Sequence, residues 1–131
     1  MKKSIFILIF LISGFFFLGT NYLTAQWCID VTYSDALCDC GTITTKTVYY
    51  QIYDVVIEDY IVDDNEPLPV GGNYFELEGT EEIIWDAEDR YLVSVRITYF
   101  DPSQCCTGWD SKLVDGDQLT GCNVGIDITM E

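Results

Sequence analysis

Tyr91-Leu92-Val93-Ser94-Val95-Arg96-Ile97-Thr98-Tyr99 is the stretch on which the fold turns. Tyr91, Val93, Val95, Ile97 and Tyr99 take every second position, and Leu92, Ser94, Arg96 and Thr98 fill the places between. A period of two puts one set on each face of an extended chain. This is a half-buried strand, because an amphipathic helix repeats its apolar residues every three or four. The same alternation runs through Trp27, Ile29, Val31 and Tyr33, and again through Cys122, Val124, Ile126, Ile128 and Met130. Between Thr42 and Ile57 the chain is also β-rich, but its apolar residues change parity. Val48, Tyr50 and Ile52 share one set, while Tyr49, Tyr53, Val55 and Ile57 share the other. That change predicts a bulge, or a strand buried on both faces.

Tyr60 to Val62, Tyr74 to Glu78 and Ile83 to Trp85 read as shorter strands. Asp63 to Gly72, with two prolines and a glycine pair, reads as a loop, and Asp86 to Arg90 as a polar turn. Asp101 to Gly121 reads as a long connection with at most a short strand at Leu113-Val114. About seven strands divided by turn signals predict a single antiparallel β-sandwich. Asp86 and Tyr91 flank the polar turn that opens the best strand. In this the segment Trp85 to Val95 resembles the corner of immunoglobulin-like and fibronectin type III-like domains, with an Asp-to-Tyr spacing one residue longer. The resemblance implies the fold class and carries no function.

Residues 1–25 read as a secretory signal peptide. Lys2 and Lys3 precede an apolar run from Ile5 to Leu18, and Leu23-Thr24-Ala25 supplies a small residue at the cut. The run is shorter than the roughly 20 apolar residues that span a bilayer, so no transmembrane segment is expected once the signal is removed. Cleavage leaves residues 26–131, which is 106 of the 131 residues and one domain. In that part Ile, Val and Thr together number 30 against 8 Ala and Leu, which again favours strands. The expected location is secreted, at the cell surface or in the periplasm.

All six cysteines, Cys28, Cys38, Cys40, Cys105, Cys106 and Cys122, follow the signal. An even set in a small exported domain reads as a disulfide framework. Spacing alone leaves the connectivity open. Bonding Cys105 to its neighbour Cys106, or Cys38 to Cys40, would close a small strained ring. The expectation is therefore that the Cys38/Cys40 turn is tied to the Cys105/Cys106 segment, with Cys28 joined to Cys122. A thiolate metal centre would want Cys-x-x-Cys knuckles, and there are none.

Charge and residue types then narrow the function. Twenty-two acidic residues face four basic ones after the signal, Lys46, Arg90, Arg96 and Lys112, for a mature net charge of −18. Such a field repels nucleic acid and anionic membranes. There is no His, so His-based triads, general bases and metal ligands are excluded. Ser111 beside Lys112 lacks the Ser-x-x-Lys arrangement, and no catalytic residue is expected. Carboxylates ordinarily just solvate a surface. The alternative is calcium held by Asp63, Asp64 and Glu66, by Asp86 and Asp89, or by Asp115 and Asp117, calcium being the one cofactor in view.

The mature part also carries 8 Tyr, 3 Trp and 2 Phe. Tyr49, Tyr50 and Tyr53 share one strand and must divide between its faces, so Tyr49 and Tyr53 are candidate binding residues. Trp109 sits in the long Cys105 to Gly121 segment, either as a platform for a partner or as a lid over the disulfides. The expectation is a non-enzymatic domain that binds a protein partner or self-assembles. The alternative is a carbohydrate-binding or calcium-dependent module.

Overall fold

The computed structural model describes residues 24–82, 89–100 and 104–131. Most of the signal segment, the expected strand at Ile83 to Trp85, and Asp86 lie outside the described residues. Seven strands run through the rest: β1 (Thr24–Ser34), β2 (Thr45–Asp54), β3 (Asp59–Leu68), β4 (Tyr74–Glu82), β5 (Arg90–Phe100), β6 (Gln104–Asp115) and β7 (Gly125–Thr129). One short helix, α1 (Gly116–Thr120), joins β6 to β7. They form two sheets, ordered β4-β1-β7 and β3-β2-β5-β6. No helix among the described residues is long and apolar enough to cross a membrane.

One core serves both sheets. Trp27, Ile29, Val31 and Tyr33 of β1 join Val48, Tyr50 and Ile52 of β2 and Tyr91, Val93, Val95, Ile97 and Tyr99 of β5 in a single buried cluster. Removing this apolar surface from water is the main force holding the sheets together, at about 25 cal/mol per Å². The parity question in β2 resolves cleanly. Lys46, Val48, Tyr50, Ile52 and Asp54 are buried, and the odd-numbered residues between them are half-buried on the other face. A bulge does occur where β2 pairs with β3, between Ile52 and Tyr53.

Three expectations need correcting. The expected connection from Asp101 to Gly121 is instead the twelve-residue strand β6, followed by α1. The strand escapes detection because its inward face holds Gly108 where an apolar side chain would advertise it. A Cβ there would stand 2.7 Å from Ile128 Cγ2 and 2.7 Å from the Thr129 carbonyl oxygen, so only glycine lets the C-terminal segment close onto β6. The expected loop after Val62 is mostly strand, since β3 continues to Leu68 along the open edge of its sheet. Edge strands carry charge and proline that block uncontrolled pairing, and Asp63, Asp64, Glu66 and Pro67 do both. Finally, the pairing is not wholly antiparallel, because β7 lies parallel to β1. After β6 completes one sheet, α1 and the segment behind it carry the chain across to the other in that direction.

Disulfides pin these connections. Cys28 on β1 pairs with Cys122 after α1, Cys38 with Cys106, and Cys40 with Cys105, with Cα separations of 5.0, 5.8 and 5.6 Å. The last two tie the β1–β2 connection to the start of β6. Beside them lies Lys46, buried, with no carboxylate in ion-pair range among the described residues. Its ammonium sits 4.7 Å from the Tyr99 ring centre and 5.1 Å from that of Tyr33, and donates to Tyr33 Oη at 3.3 Å. Two aromatic faces thus take the place of a counter-ion.

Candidate functional site

The outward face of the β3-β2-β5-β6 sheet collects the residues left over from the core. Register places them in rows. Asn65, Tyr49, Arg96 and Trp109 lie side by side across β3, β2, β5 and β6, and Asp63, Gln51, Ser94 and Ser111 form the next row. Trp109 is 70 % exposed, the most exposed of the large hydrophobic residues described. That is not the state of a ring packed over the disulfides. Its strand holds it there: Cys106, Gly108 and Val114 face the core, so the intervening positions must face solvent.

Between these rows lies a concavity of about 470 Å³, lined by Tyr49, Gln51, Asp63, Ser94, Val95, Arg96 and Trp109. The Arg96 guanidinium stacks on Tyr49, 4.6 Å from the ring centre. Gln51 donates from Nε2 to Asp63 Oδ1 at 3.1 Å, which fixes the carboxylate and the amide together. Among the described residues, Asp63 is the carboxylate that lines the hollow. Further along the face Tyr53 meets Tyr60 edge to face at 5.0 Å, next to the exposed Leu92 and Leu113.

The structure therefore brings the candidate residues Trp109, Tyr49 and Tyr53 onto one surface. Reasoning from sequence missed Arg96, Gln51 and Ser94. Their signal was present in the alternation of β5 and β2, but an outward Arg or Gln reads as plain solvation until register sets it between two aromatic rings.

The acidic candidates are scattered by comparison. Asp63, Asp64 and Glu66 are on the β3 edge, where neighbouring side chains point to opposite faces. Asp115 precedes α1 and faces Arg90 at 3.9 Å, Asp117 lies in the helix itself, and the Asp89 carbonyl accepts from the Gly116 amide at 3.1 Å. Asp86 lies outside the described residues. The grouping of potential ligand atoms within 4.8 Å that occurs among the described residues is Cys28, Glu76 and Cys122. Its two sulfurs are bonded to each other and are not thiolates, so it is no metal centre.

On the other sheet Tyr74 Oη donates to Asp30 Oδ1 at 3.0 Å, and this bond to a carboxylate raises the phenol above its ordinary pKa. A second hollow of about 250 Å³ lies near Thr32, Asn73 and Asp127, where Thr32 donates to the Asp127 carboxylate. It holds no exposed ring. No protein-family model, curated protein or solved structure matches the chain.

Proposed function

We propose that this is an exported, non-enzymatic binding or assembly domain that works at the cell surface or in the medium through the outward face of its four-stranded sheet. The observation that carries the reading is Trp109, held out of the core by its strand and set in one row with Arg96 and Tyr49. Trp, Tyr and Arg are the residues that dominate binding energy when they cluster. Three disulfides support an oxidising compartment and, with the basic and apolar start of the chain, cleavage of residues 1–25 as a signal.

The finer fold assignment is a β-sandwich of immunoglobulin-like character. Its support is the order β3-β2-β5-β6, which corresponds to C′, C, F and G of a variable-type domain, while β4 beside β1 corresponds to E beside B. Tyr91, buried at the start of β5, then stands where such domains place a tyrosine near the start of F. The seventh strand departs from the pattern, since it runs parallel to β1.

The test is Trp109→Ala. Solution mass and retention on the producing cell's surface should fall to the level of a non-binding control, with an unchanged melting temperature. Full retention and unchanged mass in the variant would defeat the reading.

A further inference from the structure

Resting on that reading, we infer that the ligand of the Trp109–Arg96–Tyr49 face is a neutral oligosaccharide. A protein interface has an apolar centre and a polar rim. This hollow is arranged the other way round. Arg96 lies between Tyr49 and Trp109, and Gln51 and Ser94 occupy the next row, so polar groups stand among the rings instead of around them. Trp109 and Tyr49 are carried by strands two places apart, with β5 between them, which sets their backbones about 10 Å apart across the sheet. A pyranose is the ligand shaped for that: one of its flat, apolar C–H faces can lie on the exposed Trp109 ring, the Tyr49 ring being covered by Arg96, and its edges carry hydroxyls that both donate and accept.

The polar groups match those edges. Ser94 can do both, Gln51 has an amide oxygen to which nothing among the described residues donates, and Asp63 can accept at its second oxygen while the first is held by Gln51. Arg96 is the strong donor. Among the described residues no carboxylate or carbonyl takes its N–H groups, since its stacking partner is a ring. A sugar hydroxyl in that position gains a charge-assisted hydrogen bond with no ion pair to break first.

Charge decides that the sugar is neutral. Asp63 stands in the hollow, and residues 26–131 carry 22 acidic residues against four basic ones. A single arginine amid that field does not offset the repulsion of a polyanionic glycan.

The experiment titrates the mature protein with soluble hexasaccharides of glucose, mannose, xylose and galactose, and with an oligogalacturonate, by calorimetry and tryptophan fluorescence. At least one neutral hexasaccharide should bind and perturb the emission. Trp109→Ala and Tyr49→Ala should weaken it about tenfold or more, and Gln51→Ala severalfold, each with an unchanged melting temperature. Leu113→Ala, on the same face outside the hollow, should bind as the wild type does. Preference for the oligogalacturonate would overturn the inference, as would equal losses in Leu113→Ala and Gln51→Ala, the pattern of an apolar protein contact. So would no binding of any neutral sugar at about 5 mM. If Trp109→Ala then still lowers solution mass or surface retention, the face takes a protein or a second copy and only the sugar assignment falls. If it alters neither, both readings fall together.

Discussion

The three disulfides should not contribute equally, and the inequality can be worked out from where they sit. Cross-linking stabilises by closing a loop in the unfolded chain, and the effect grows with the logarithm of loop length. Taken alone, Cys28–Cys122, with a sequence separation of 94, would contribute about 4.7 kcal/mol on that scale. The unfolded chain, however, is already tied by Cys38–Cys106. The loop left for Cys28–Cys122 to close is the segment from Cys28 to Cys38 plus that from Cys106 to Cys122, about 26 residues, which reduces its share to about 3.5 kcal/mol. Cys40–Cys105 lies just inside Cys38–Cys106, so it closes only a few residues more and adds about 2 kcal/mol or less. Cys28→Ala with Cys122→Ala should therefore destabilise clearly more than Cys40→Ala with Cys105→Ala. Urea unfolding of both double variants measures this, with the slope of the transition checked for changes in the unfolded state. If the Cys40/Cys105 variant loses as much as the Cys28/Cys122 variant, the nested-loop argument is wrong.

Other consequences follow from single groups. Gly79 of β4 lies opposite Trp27, and a Cβ on it would stand 2.6 Å from Trp27 Cζ2, so Gly79→Ala should cost about 2–3 kcal/mol in thermal or urea unfolding. Burial raises the Tyr99 phenol above its ordinary value of 10.0, with further contributions from Tyr33 and Asp35. The folded state therefore keeps a proton that the unfolded state loses, and this contribution is intact below pH 10 and declines as pH rises toward the folded value. Alkaline unfolding should begin above about pH 10, and Tyr99→Phe should flatten the decline in a pH series. With 22 carboxylates against 6 bases, sodium chloride should raise the melting temperature by screening repulsion. Calcium should do no more than magnesium at matched ionic strength, because the described residues gather no set of carboxylates to hold it; a larger shift with calcium would identify a specific site.

Sequence alternation made β5 and β1 legible, since each sends every second residue into one shared core. β6 was not, because the approach of Ile128 and Met130 demands a glycine where the pattern needs a large apolar residue. β3 was hidden by the charge that protects an open edge. The neighbouring cysteines were readable for a geometric reason, as adjacent residues bond outward more easily than to each other. The surface was half readable. Trp109 and the tyrosines stand out by type, whereas the significance of Arg96 comes from register between strands far apart in sequence, which no local pattern contains.

β1 has a kinetic consequence as well as a structural one. It is the middle strand of its sheet, yet its partners begin about 40 residues after it in β4 and about 90 residues after it in β7. The β2–β3 and β5–β6 hairpins can close as soon as they are made, whereas β1 must wait for β4 on one side and for nearly the whole chain before β7 reaches its other side. During synthesis Trp27, Ile29, Val31 and Tyr33 are therefore made well before either strand that flanks them, with Cys28 unable to find Cys122 until α1 has passed. Such high contact order makes slow folding intrinsic to the topology. It also leaves a strand that sends four large side chains into the core waiting longest for its last partner, and so at risk of pairing with a neighbouring chain.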